Sequence, residues 1–282
     1  MKTKDELIDD LLNLAFAEDV GDGDHTTLST IPAEEQGRQH LIVKEEGILA
    51  GVEIARKVFE KFDPQLKMTV FIEDGSHVKP GDIAFEVEGS VRSLLQTERV
   101  MLNIMQRMSG IATQTAKYQQ KLEGLKTNVL DTRKTTPGMR MLEKEAVRIG
   151  GGCNHRIGLF DMILIKDNHV DFAGGIPQAV SAARKYLAEK GKDLKIEIEV
   201  RNEDEIRQAL EAGVDRIMLD NFTPERTREA VKLIHGRTEI ESSGGITLDT
   251  LRSYGECGVD FISVGALTHS VKGLDMSFKA MK

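Results

Sequence analysis

After Gly124 the chain repeats one pattern: a short apolar run, a loop, then a segment of helical character. The runs are NVLD, MILIK, KIEIEV, RIMLDN, TEIES and FISVGAL. Such alternation calls for a parallel sheet with helical crossovers, open or closed into a barrel, because parallel neighbours cannot be joined by a tight turn. An internal echo supports repetition of one unit. Glu211-Ala212-Gly213-Val214-Asp215 leads into RIML, and Glu256-Cys257-Gly258-Val259-Asp260 leads into FISV. In each a glycine placed to end a helix is followed by a turn into a buried strand. Helix starts are also signalled, by Asn202 with Glu205 and by Thr223 before Pro224.

The preceding half reads differently. Leu7, Ile8, Leu11, Leu12, Ala15 and Phe16 recur at helical spacing within Lys4 to Phe16. From His40 to Val91, runs such as HLIVKEEGILAG, MTVFIEDG and IAFEVEG alternate and are punctuated by Lys79-Pro80-Gly81, which predicts a small β domain. Ser93 with Gln96 forms a capping-box signature, so a long helix is predicted to begin near Ser93, with Val100, Ile104, Met108 and Ile111 as its core stripe.

Composition narrows the function classes. The chain has 282 residues, 40% of them hydrophobic, and a formal net charge of -8. That is ample material for a core and argues against disorder. An acidic chain is a poor nucleic-acid binder, and no run approaches the roughly 18 apolar residues of a membrane span. The opening MKTKDELIDD lacks the apolar stretch of a secretory signal, and Cys153 and Cys257 have no framework spacing, so a reduced cytoplasmic protein is expected.

Against that acidic background, Asp131 to His169 gathers Arg133, Lys134, His155, Arg156 and Lys166, which points to a small anion. Ligands of parallel α/β folds sit at the carboxyl ends of the strands. Read in order, those ends supply Arg133 and Lys134, then Lys166, Glu199, Asp220, Ser243-Gly244-Gly245 and Gly265-Ala266. Cations for a carboxylated substrate, carboxylates for a metal or ribose hydroxyls, and glycine turns for a phosphate would make one site. Blander readings stand beside these. Glu197 and Glu199 alternate with Ile and could be solvated strand residues. Arg140, Lys144 and Arg148, with Glu143 and Glu145, read as a solvated helix face. His169, His25 and the GDGD run from Gly21 read as turn residues.

The segments ERVMLNIMQRMSGIAT, DTRKTTPGMR, GGGCNHRIGLFDMILIKDNH, EIEV, MLDNF, ESSGG and VGALTHS together resemble the quinolinate phosphoribosyltransferase family, as does EDVGDGDHTT near the start. The resemblance implies the type II phosphoribosyltransferase fold: an N-terminal open β-sandwich-like α+β domain (1–112, with 270–282 packing back on it) and an incomplete seven-stranded α/β barrel (113–269). The six runs counted above leave one strand missed or irregular. Also implied is transfer of phosphoribosyl from phosphoribosyl pyrophosphate to quinolinate with decarboxylation. Quinolinate would be held by Arg133, His155, Arg156 and Lys166, with Arg99 from a partner chain in a dimer or higher oligomer, and Lys134 would lie near the pyrophosphate. Thr132, Ser243, Gly244, Gly245, Gly265 and Ala266 complete the substrate contacts. Glu199 and Asp220 would hold Mg2+ and the ribose, and with Lys134 and Lys166 form the catalytic set. Three other readings remain: a Schiff-base aldolase using Lys166, a non-catalytic ligand sensor, and a transferase acting on nicotinate.

Overall fold

The computed structural model describes residues 2–281. The chain divides into two compact units, one of Met1–Ala116, Thr135–Gly151 and Ala266–Lys282, the other of Lys117–Lys134 and Gly152–Gly265.

The first unit begins with α1 (Lys4–Asp19), where Thr3 and Glu6 form a reciprocal capping box. In α2 (His25–Thr30) the Asp24 carboxylate accepts from Thr27 N, so the GDGD run does serve as a turn and cap. There follow β1 (Gln36–Val43), β2 (Gly47–Ile48), α3 (Val52–Phe62), β3 (Lys67–Val70), β4 (His77–Val78), β5 (Ile83–Ser90) and the long α4 (Val91–Lys121). Helix α3 falls inside the stretch expected to be β. Its start is not marked locally, because the carboxylate that accepts from Val52 N is Asp74, 22 residues on. Helix α4 starts before Ser93, whose hydroxyl donates to Asp63 at 2.7 Å, while Ser90 Oγ accepts from Ser93 N at 3.4 Å. The cap is therefore Ser90, and Gln96 bonds back to the Arg92 carbonyl.

In the second unit, β6 (Asn128–Leu130) opens the sheet; α5 (Arg140–Ile149) returns to the first unit. Then come β7 (Ile163–Ile165), α6 (Asp167–Ala173), α7 (Ile176–Lys190), β8 (Ile196–Val200), α8 (Glu203–Ala212), β9 (Arg216–Asp220), α9 (Pro224–Ile234), β10 (Glu239–Ser243), α10 (Leu251–Gly255) and β11 (Phe261–Ser263). The chain ends in the first unit with α11 (Ala266–His269) and β12 (Met276–Ala280).

Strand β12 adds to an antiparallel sheet ordered β12-β1-β5-β3, with Phe59, Phe85 and Phe278 clustered at centroid spacings of 5.9–6.2 Å. Gly110 of α4 lets the returning chain approach closely, since a Cβ there would lie 2.3 Å from the Lys272 carbonyl. On α5, Glu143 and Lys144 are buried, contrary to the solvated face expected. Arg107 binds the Glu143 carboxylate from α4 at 2.7 Å, a tertiary partner that helical spacing does not reveal. Arg148 does face solvent.

The six predicted runs are the six strands of a parallel sheet ordered β6-β11-β10-β9-β8-β7. The seventh position is reduced to one residue: Cys153 bridges Leu130, donating to Val129 O at 2.8 Å and accepting from Asp131 N at 3.1 Å. Among the described residues that bridge and β7 stay unjoined, so the barrel is incomplete. The Asn202 and Thr223 caps form as read, and Gly213 takes positive φ as the C-cap of α8, whereas α10 ends at Gly255 with Glu256 as its cap and Gly258, at φ 89°, turns the chain beyond it. No helix among the described residues is long and apolar enough to cross a membrane.

Candidate active site

Alternation along the parallel strands puts one set of side chains on a common face. At the carboxyl ends, Asp220 is in register with Ser243, and Glu199 with Met218. One step deeper, Arg216 lies in register with both Glu197 and Glu239. The end of β11 meets the end of β6 through Val264 N donating to Leu130 O at 2.9 Å, so Gly265 leaves the sheet beside the Asp131–Lys134 loop.

The cationic loops are built on Asp131, which is fully buried. Its carboxylate accepts from His155 N at 2.8 Å and from Asn154 Nδ2 at 2.6 Å, tying the loop after the Cys153 bridge to the end of β6. Asp161 then turns that loop by accepting from Ile157 N and Gly158 N at 2.7 and 2.8 Å. Arg156 is half-buried. Its guanidinium donates to Met162 O at 3.3 Å, and its pKa is lowered by burial and then by Arg133. The Arg133 charge thus opposes that of Arg156, a repulsion that a bound anion would relieve. Arg133 and Lys134 are exposed, and Thr132 Oγ1 accepts from Lys134 N at 3.0 Å.

Lys166, at the end of β7, reaches Glu199 with Nζ 2.9 Å from Oε2. Asp220 accepts from the side chain of Asn221 at 2.7 Å, and Asn221 itself takes a positive φ of 55°. Gly244, at φ +100°, has to be glycine: a Cβ would stand 2.2 Å from Asn221 Oδ1. That contact locks the Ser243-Gly244-Gly245 turn against the end of β9. His169 is a turn residue as read, its Nδ1 accepting from Lys166 N at 3.0 Å. Arg99 is exposed on α4, and Ala266 opens α11; both belong to the first unit.

Beneath these ends lies a group that reading residue by residue missed. Glu197 is fully buried, not a solvated strand residue, and so are Glu241 and nearly all of Glu199 and Arg216. His155 Nε2 is 2.9 Å from Glu197 Oε2 and 3.5 Å from Glu241 Oε2. Arg216 is 3.2 Å from Glu241 and 3.0 Å from Glu239, and its guanidinium lies 4.3 Å over the Phe261 ring. Burial and the neighbouring Glu197 push the Glu241 carboxyl up to about 8, and burial raises Glu197 too. Burial opposes the Arg216 charge, but the surrounding carboxylates outweigh it and hold the guanidinium charged. Ligand atoms of His155, Glu197 and Glu241 all lie within 4.8 Å of one another, as in a metal site, but Arg216 already supplies the positive charge there. The available signal was context: in a parallel sheet covered on both faces, alternating charges as in KIEIEV have to point into the barrel.

Residues 24–109 match the quinolinate phosphoribosyl transferase N-terminal domain family, and residues 111–279 match its C-terminal domain family. The chain is 45% identical to the chloroplastic, carboxylating nicotinate-nucleotide pyrophosphorylase of Oryza sativa subsp. japonica, covering 95% of this chain and 76% of the relative. It is 44% identical to quinolinate phosphoribosyltransferase [decarboxylating] 1b of Nicotiana tabacum, covering 95% and 81%. The crystal structure of NadC from Streptococcus pyogenes superposes over 100% of both chains with a TM-score of 0.93 at 41% identity. With both domain families matched, and with relatives of this similarity over nearly its full length, the chain belongs to the quinolinate phosphoribosyltransferase family.

Proposed function

We propose that this protein transfers the phosphoribosyl group of phosphoribosyl pyrophosphate to quinolinate, with release of pyrophosphate and carbon dioxide, giving nicotinate mononucleotide for NAD biosynthesis. What supports this reading is Arg133 near enough to Arg156 to lower its pKa further than burial does, together with Lys166 meeting Glu199 at the ends of β7 and β8. Quinolinate is a dianion, and an arginine fork suits a planar carboxylate. At ~4 Å and an effective dielectric near ~20, each charge pair is worth roughly 4 kcal/mol before desolvation is subtracted.

Loss of pyrophosphate leaves positive charge on the ribose C1 and ring oxygen. Glu199 and Asp220, at the ends of the adjacent strands β8 and β9, supply the negative charge that favours such a state, and their oxygens suit ribose hydroxyls. Both are hard oxygen donors, with no sulfur or imidazole in the set, and so fit Mg2+. When bound, that ion would neutralise charge on the departing pyrophosphate. Lys134 and Lys166 serve as cations, and the Ser243-Gly244-Gly245 turn cradles phosphate through its backbone. Once the pyridine nitrogen is ribosylated, its charge stabilises the carbanion left as carbon dioxide departs. A Schiff-base role for Lys166 fits poorly, because such a lysine sits unpaired in an apolar pocket and this one is ion-paired. A pure sensor would have no use for Glu199 and Asp220.

Incubation with carboxyl-labelled quinolinate, phosphoribosyl pyrophosphate and Mg2+ should release labelled carbon dioxide and nicotinate mononucleotide in equal amounts. Product from nicotinate, without carbon dioxide, would favour the rival transferase. The exposed position of Arg99 supports its delivery to a partner's site in a homodimer. Mixed dimers of inactive Arg99→Ala and Arg133→Ala chains should then recover roughly a quarter of wild-type activity, since about half of randomly paired dimers are mixed and each holds one intact site. Mixed dimers without activity would refute the shared site. The spaced, unpaired Cys153 and Cys257 support a cytoplasmic setting.

A further inference from the structure

Two of the segments that carry substrate residues run on into the first unit, one at Thr135 directly after Lys134 and the other at Ala266 directly after Gly265. Just inside that unit both are held by a side chain outside the substrate set. Arg107, on α4, donates through Nε to Glu143 Oε1 at 2.7 Å, and through Nη2 to Thr136 Oγ1 at 2.8 Å and to Thr268 O at 3.0 Å. Glu143 is fully buried, and its other oxygen accepts from Thr136 N at 3.2 Å. The ion pair thus holds Thr136 by both its hydroxyl and its amide. The Thr268 carbonyl is one of those that the four-residue helix α11 leaves without an intrahelical partner. A second donor on α4 repeats this grip: Gln114 Nε2 donates to Ala266 O at 2.7 Å. Positions 107 and 114 lie on one side of the helix, seven residues being roughly two turns. A lysine at 107 would keep a charge for Glu143 but has no planar fork with which to reach Thr136 and Thr268 as well.

We infer that Arg107 is a positioning residue for the phosphoribosyl pyrophosphate half of the site: its guanidinium, seated on buried Glu143, fixes both the segment that follows Lys134 and the segment that follows Gly265 and Ala266. Glu143 and Thr136 act through it. The kinetic part of this inference rests on the function proposed above, whereas the joint fixing of the two segments does not.

The test has two arms. Amide hydrogen exchange in the enzyme without substrates should run about tenfold faster in Arg107→Lys at both 135–139 and 266–269, while β1 and β5 keep their protection. Exchange unchanged in either segment, or raised throughout the unit, would overturn the inference whatever the enzyme's reaction proves to be. Thr136→Val removes one hydroxyl and leaves the ion pair intact, so it keeps both arms open if Arg107→Lys fails to fold; it should loosen 135–139 alone, and no loosening there would count against the inference. In the second arm, Arg107→Lys should raise the KM for phosphoribosyl pyrophosphate about tenfold and leave the KM for quinolinate and kcat within about threefold of wild type. Thr136→Val should raise the same KM about fivefold, and Thr136→Ser, which restores the hydroxyl, should return it to within about twofold. Parallel rises in both KM values, or equal loss in the Val and Ser variants, would contradict positioning through the guanidinium. A wild type that turns over neither substrate would sink the proposed reaction, and the exchange arm would then decide the role of Arg107 by itself.

Discussion

In the first unit Phe59, Phe85 and Phe278 meet at 5.9–6.2 Å behind an antiparallel sheet. In the second, the space inside the parallel strands is taken by His155, Glu197, Arg216 and Glu241, within 2.9–3.5 Å contacts of one another. The first interior is stabilised by apolar burial, which is non-directional and indifferent to pH. The second holds its charged groups through close pairs of opposite charge, with several carboxylate oxygens left without a hydrogen bond, and its stability depends on which of them carry protons. An interior of that kind is a poor way to stabilise a barrel, since hydrophobic side chains of similar volume serve as well or better. At the strand ends above it, Asp131 ties together the two loops bearing Arg133 and Arg156.

The largest expected effect separates the two interiors by pH. The Glu241 carboxyl is raised from its ordinary 4.5 to about 8 in the folded state. A raised acid binds its proton more tightly when folded, so its contribution is fully present below 4.5 and is lost as pH rises through about 8. At 1.36 kcal/mol per pH unit, that loss is a few kcal/mol, with about 5 as a ceiling. Urea unfolding of wild type and Glu241→Gln from pH 4.5 to 8 should show the variant gaining stability relative to wild type as pH rises. Parallel curves would mean that the barrel pair does not share a proton. Next, Arg216→Met strips the cation from Glu239 and Glu241 and should destabilise by about 3–5 kcal/mol. Adding Glu241→Gln to it should recover part of the loss, and simple additivity of the two changes would contradict their coupling. Smallest is the change in the apolar unit: Leu41→Ala, at a fully buried position on β1, should cost about 3 kcal/mol by cavity formation. That cost should not vary between pH 4.5 and 8, and the KM for quinolinate should hold; a pH-dependent cost would erase the distinction drawn here.

The difference between the units also explains what could be read from the chain. The six strands of the barrel were legible because a buried parallel strand needs an unbroken or β-rich apolar run, and RIML and FISV supply one. Strand-end residues followed from that, since Lys166, Glu199 and Asp220 each stand at the end of such a run. The seventh strand was not legible, because a single bridge at Cys153 leaves no periodicity. Helix α3 and the start of α4 were missed or displaced because Asp74 and Ser90 cap them, one from a distance and the other from within a strand. Glu143, Lys144 and Glu197 read as surface because charge alone does not show a residue's partner. Glu143 meets Arg107 and Glu197 meets His155, each remote in sequence.

The most direct test of the central claim, that the strand-end guanidiniums of the barrel read the two carboxylates of quinolinate, is calorimetric titration of quinolinate into wild type, Arg133→Ala and Arg156→Ala. Each variant should lose roughly 2–5 kcal/mol of quinolinate binding, because truncation leaves a substrate charge unpaired in the site, while phosphoribosyl pyrophosphate binding changes less. Unchanged quinolinate affinity in both variants would contradict the account.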